Sequence, residues 1–213
     1  MHILLAAFAL ISMLLFPINA TSQTPHMQLQ SITDTRLATP TFVTNSHDGT
    51  GRMFVLEQGG RIMVVQPDTR AATVFLDLTD KAMTSTERGL LGLTFHPQFT
   101  DNHEFFVNYT RKPDGAIVVG RYKVSGTNPN VADPDETVVL TIPHPAAEHN
   151  GGMIEFGSDG YLYISTGDGS TSYDPANNAQ DLNSIYAGSD EEKASGNIYF
   201  FDADGQPINP PVE

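Results

Sequence analysis

The sequence predicts an all-β fold of repeated small sheets, a β-propeller, and three features carry that prediction. The 18 Gly and 14 Pro of this 213-residue chain cut it into many short apolar segments, and both residue types punctuate turns. Almost no stretch repeats its apolar residues at the period of about 3.6 that marks an amphipathic helix. Aromatic-rich strands around Val55, Val107 and Tyr163 recur after 52 residues (55 to 107) and 56 residues (107 to 163). A period of about 50 residues holding four short strands is what propeller blades produce, because each small sheet hides its faces only against its neighbours.

The elements follow in chain order. Ile3 to Phe16 is an apolar run, followed by Pro17 and a small-residue end at Ala20, the pattern of a secretory signal peptide over residues 1–20. The run is shorter than the roughly 20 residues of a membrane span, and polar residues Thr21 to Thr24 follow it. The expected product is secreted or periplasmic, has no stable membrane anchor, and places its propeller domain in residues 21–213. Arg52 to Glu57 and Arg61 to Val65 flank Gln58-Gly59-Gly60 as a hairpin. Leu90 to Phe95 reads as a strand, His96 to Asn102 as a loop and Phe105 to Thr110 as the returning strand. Ile117 to Val124 and Thr137 to Ile142 are further strands. The unit reappears as Met153 to Phe156, the turn Gly157 to Gly160, and Tyr161 to Thr166. After the strand Ile198 to Phe201, Asp202 to Gly205 supply one more turn of the same kind.

Propellers close with about 4–8 blades. Three repeats and part of a fourth fall short of a comfortable ring, and the sequence stops at Pro210-Pro211-Val212-Glu213 in what reads as an inter-strand loop. The expectation is the N-terminal part of a longer, truncated propeller; a compact β-sandwich or a small closed ring is the alternative.

Composition narrows the partners. With 25 acidic against 11 basic residues the net charge is −14, and no basic patch stands out, which argues against nucleic acid. Cysteine is absent, so export brings no disulfides and a packed core must supply the stability.

Four segments carry a family resemblance. They are Glu87-Arg88-Gly89-Leu90-Leu91-Gly92-Leu93-Thr94-Phe95-His96-Pro97; His149-Asn150-Gly151-Gly152; Phe156 to Ile164 running into Thr166-Gly167-Asp168-Gly169; and Asp174-Pro175 with Asn177 to Ser184. In this order and spacing they resemble the glucose/sorbosone dehydrogenase family of soluble PQQ-dependent aldose sugar dehydrogenases. The resemblance implies a six-bladed propeller with pyrroloquinoline quinone and calcium on its top face. It also implies oxidation of the C1 hydroxyl of an aldose to a lactone, with an external electron acceptor.

His149 is the first candidate for chemistry. It lies between the loop Pro143 to Glu148 and two glycines that let backbone approach a ligand closely, at the start of an inner strand. A neutral imidazole there suits a general base. The resemblance gives it that role toward the sugar hydroxyl. Asp168 ends a strand at the same rim and by resemblance orients the histidine or contacts the sugar; a self-capped Asp-Gly turn is the plainer reading. Glu87, before an inner strand, is able to accept a hydrogen bond from sugar or cofactor, or is a solvated charge beside Arg88. Arg88 is the obvious cation near the rim for the cofactor's carboxylates. Asn150 joins these binding candidates through its motif.

Asp168 to Asp174 places oxygen side chains at alternate positions, so Asp168 and Asp174 form a weak calcium candidate that lacks the bidentate Glu of an EF-hand. Asp133, Asp135 and Glu136 read as a solvated acidic turn, His96 as a turn residue, and Asn108-Tyr109-Thr110 as a sequon inside a strand. Two departures from the family stand out. Ile185 to Gly196 intervenes as a charged insertion, and the family's cofactor-holding arginines come mostly from a second half beyond this sequence. The functional alternatives are a secreted propeller that binds a protein or glycan without chemistry, and a calcium-dependent lactonase.

Overall fold

The computed structural model describes residues 28–144, 146–169 and 198–206. The expected signal peptide and Asp174 lie outside the described residues. From Ser31 onward the chain forms one compact unit that contains three antiparallel sheets.

The first sheet is a meander of β1 (Pro40–Asn45), β2 (Met53–Glu57), β3 (Arg61–Val65) and β4 (Ala72–Asp77). The second repeats the plan with β5 (Leu90–Phe95), β6 (Glu104–Thr110), β7 (Ile117–Lys123) and β8 (Thr137–Ile142), interrupted after β5 by the single helical turn α1 (Phe99–Asn102). The third contains β9 (Gly151–Phe156), β10 (Leu162–Thr166) and β11 (Ile198–Phe201) in the order β11-β10-β9. Val55, Val107 and Tyr163 each sit on the second strand of their sheet, opposite Val43, Leu93 and Glu155 of the first strand. The repeat in the sequence is therefore a repeat of sheets. Pairing of Tyr163 with Phe200 makes β11 the third strand of the third sheet, so it continues that blade and opens no fourth one.

Two strands were not read from the sequence. β1 is exposed or half-buried along its length and looks like loop until β2 pairs with it, whereas β4 exposes only half of its residues and buries Phe75 and Leu76 in the core. The loop expected at His96 to Asn102 contains α1 because Phe99 needs burial: its ring packs 4.7 Å from Phe95. A single turn is too short to show a period.

Every residue of β6 is buried, since the second sheet is covered on both sides. Phe105, Val107 and Tyr109 join Phe54, Leu56, Ile62, Val64 and Phe75 of the first sheet in one core. Phe106 joins Ile154, Leu162, Ile164 and Phe201 of the third sheet in another. Alternate residues of one strand thus serve two interfaces, which explains a continuous apolar run where a one-sided strand would alternate. Asn108 is fully buried in the same strand, which closes the sequon to modification.

The first strands pack side by side, β5 against both β1 and β9. At the β5–β9 contact a Cβ on Gly92 would collide with the Gly152 carbonyl, and one on Gly152 would lie 2.5 Å from Leu91 Cβ. Two glycines are needed for that approach.

Glu136 corrects one expectation. Its carboxylate is not in the solvated turn; it accepts the Tyr109 hydroxyl at 3.0 Å and pairs with Lys81 at 3.2 Å, with 11% of its side chain exposed. Tyr109 and Lys81 are distant in sequence, so no local pattern announces the contact.

Candidate functional site

The starts of β5 and β9 and the end of β10 meet at one rim. Gly151 pairs with Thr166 across a register shift, and a Cβ on Gly151 would fall 2.6 Å from the Gly167 nitrogen. Gly167 in turn lies against the His149 carbonyl with no room for a Cβ. These contacts press the residue before β9 onto the residues after β10. They bring the His149 Nδ1 to 2.7 Å from Asp168 Oδ1.

His149 itself has a left-handed backbone, φ 57°, a region that L-residues other than Gly, Asn and Asp rarely enter. Its N–H donates to Glu87 Oε2 at 2.6 Å, an acceptor delivered from the start of β5. The imidazole is 38% exposed and the Asp168 carboxyl 14%. The hydrogen bond to Asp168 holds the His149 pKa above the ordinary imidazole range, and the charges of Asp168, Glu87 and Glu148 act in the same direction. An Nδ1–H donated to the carboxylate leaves Nε2 as the proton-accepting nitrogen.

The loop before His149 is fastened from below. The Arg88 guanidinium donates to the carbonyls of His144 at 3.1 Å and Ala146 at 2.9 Å, and it packs where a Cβ on Gly115 would stand. Asn150, 2% exposed, donates its amide to the Ala147 carbonyl at 3.0 Å. His144 is buried and its Nε2 lies 3.3 Å from the Glu148 carbonyl; burial pushes its pKa down, so it stays neutral near pH 7.

All five sequence candidates that fall among the described residues, Glu87, Arg88, His149, Asn150 and Asp168, therefore belong to one constellation. Two participants were not read from sequence. His144 packs under the loop, and the Gln58 amide of the first sheet donates to the carbonyls of Ser85, Thr86 and Arg88. The Gln58-Gly59-Gly60 turn carried only a hairpin signal. Among the described residues no group of three or more His, Asp or Glu side chains is placed to hold a metal ion.

The profile of the family described as Glucose / Sorbosone dehydrogenase matches residues 37–210. The chain belongs to the glucose/sorbosone dehydrogenase family. Relatives of this family match the chain in part. The mouse (Mus musculus) Hedgehog-interacting protein is 33% identical over 152 residues, which cover 65% of this chain and 22% of that protein. The PQQ-bound aldose sugar dehydrogenase of Streptomyces coelicolor superposes with a TM-score of 0.69 at 23% identity, over 87% of this chain and 50% of that one. The soluble aldose sugar dehydrogenase of Escherichia coli, solved in its apo form, superposes with a TM-score of 0.66 at 22% identity, over 82% and 47%. At such identities the structures establish the propeller-type fold of the family. The chain spans about a fifth of the length of the mouse relative and about half of the two enzymes.

The residues present can be set against the PQQ bound by the Streptomyces coelicolor enzyme. A His–Asp pair beside carboxylates suits a neutral sugar hydroxyl. The cofactor's carboxylates demand cations, and Arg88 has turned its guanidinium to the loop carbonyls. His149 and Asp168 thus fit a sugar hydroxyl, while Arg88, the cation read from the sequence for the cofactor, also holds the loop carbonyls.

Proposed function

We propose that this chain carries the proton-accepting side of an aldose dehydrogenase site. The single observation behind the reading is the exposed His149 imidazole held through Nδ1 by Asp168 at 2.7 Å. In this reading His149 Nε2 takes the proton of the sugar's C1 hydroxyl as the carbonyl of the lactone forms. Asp168 keeps the accepting tautomer and stabilises the imidazolium that results. A quinone of the PQQ type, when bound, supplies the two-electron acceptor that the oxidation requires, and an external acceptor reoxidises it. Arg88, together with the arginines that the family places in its second half, is the candidate partner of the quinone's carboxylates. Calcium enters through the family alone, with Asp168 engaged by His149 and Asp174 outside the described residues. Export to the periplasm or medium completes the proposal, and among the described residues no helix is long and apolar enough to cross a membrane.

A second reading is a propeller that binds a protein or glycan without chemistry. It is favoured by the 33% identity to a relative named for interacting with another protein. The deciding experiment is dye reduction by the natural full-length protein with aldoses, with and without added pyrroloquinoline quinone. Sugar-dependent reduction that requires the quinone supports the dehydrogenase. Lactone hydrolysis without quinone identifies a lactonase, and failure of both with a tight protein or glycan partner identifies the binding module.

A further inference from the structure

Glu87 and Arg88 are adjacent, precede β5, and reach the His149 loop in two different ways. Glu87 Oε2 accepts the His149 N–H at 2.6 Å across 62 residues of sequence. The Arg88 Nη2 donates to the carbonyls of His144 and Ala146, and its Nη1 donates to the Met83 sulfur at 3.2 Å. The guanidinium occupies the space that any side chain at Gly115 would need. The dipeptide is itself held, because Gln58 donates to the Arg88 carbonyl at 3.0 Å and Gly89 abuts the Gln58 backbone so closely that a Cβ would collide. The left-handed backbone of His149 needs an external restraint, and these contacts supply one from the neighbouring blade.

We propose that Glu87 and Arg88 are positioning residues that form a clasp between blades, anchoring the loop 144–149 so that the His149 imidazole faces Asp168. Neither needs to touch sugar or cofactor for this. Arg88 grips the loop through its carbonyls, while Glu87 fixes the one backbone N–H whose direction sets where the histidine side chain leaves the chain. The consequence is that the His149–Asp168 bond depends on the start of β5, outside the sheet that carries both residues. The clasp rests on the proposed function only for its effect on catalysis; its geometry stands apart from it.

The test uses the natural full-length protein, labelled with ¹⁵N-histidine, and reads the downfield Nδ1 proton of a His–Asp hydrogen bond by NMR. Glu87→Ala is expected to abolish that signal, and Glu87→Gln to keep it, because an amide oxygen still accepts the His149 N–H. Arg88→Met is expected to broaden or abolish it while the His96 resonances, from the opposite end of the sheet, report an intact fold. If Arg88→Met does not fold, the exposed Glu87 decides through its two variants. On the dehydrogenase reading kcat of Glu87→Ala falls about 10²-fold with KM little changed. Retention of the Nδ1 signal in Glu87→Ala overturns the clasp whatever the activity. Loss of the signal in a protein whose wild type oxidises no sugar upholds the clasp and sinks the dehydrogenase reading instead.

Discussion

Gly167 stands against the carbonyl of His149 so closely that a Cβ would overlap it. The end of β10 and the approach to β9 are thus locked at the point where Asp168 meets the imidazole. Gly167→Ala must push the two segments apart, and such overpacking costs about 1–3 kcal/mol. Urea unfolding should show that loss, together with weakening of the His149–Asp168 hydrogen bond.

His149→Ala removes the proposed proton acceptor. In the natural full-length protein supplied with quinone and aldose, turnover should fall by about 10²–10⁴-fold. Cofactor affinity, followed by quinone titration, should change little. Turnover at the wild-type level would show that another group takes the proton.

Asp168→Asn tests the pairing through pH. The Asp168 hydrogen bond raises the His149 pKa, and a base accepts a proton only when neutral, so kcat/KM should rise with pH through that elevated value. Replacing the carboxylate should move this limb to lower pH while lowering the plateau. Stability has the opposite sense: the pair contributes fully below the unfolded imidazole pKa of about 6.5 and is lost as pH climbs through the folded value. Wild-type stability should therefore decline over that window more than that of Asp168→Asn, by parallel denaturant titrations.

Glu136→Ala should destabilise the second sheet without touching the rim. It strips the acceptor from the Tyr109 hydroxyl and the partner from Lys81. A buried donor left unsatisfied costs about 1–3 kcal/mol. Burial and the neighbouring Glu136 carboxylate push the Tyr109 phenol up; in the variant its ultraviolet titration should begin at lower pH because that charge is gone.

The sequence alone determined the class of fold, the repeat of sheets and the candidate residues of the rim. Apolar runs, glycine turns and the spacing of Val55, Val107 and Tyr163 are local signals, and β2, β3, β5 to β10 lie where those signals put them. His149, Glu87, Arg88, Asn150 and Asp168 stand in motifs short enough to be read along the chain. Tertiary structure decided which partners each of them takes. Strand β1 becomes a strand through pairing, since its own residues stay exposed or half-buried. Glu136 leaves a turn for Tyr109, and Arg88 donates to loop carbonyls, because each side chain takes a partner supplied by chain 27 to 58 residues away. Hydrogen bonds of that reach follow from how sheets stack, and stacking is a property of whole faces that no short window of sequence contains.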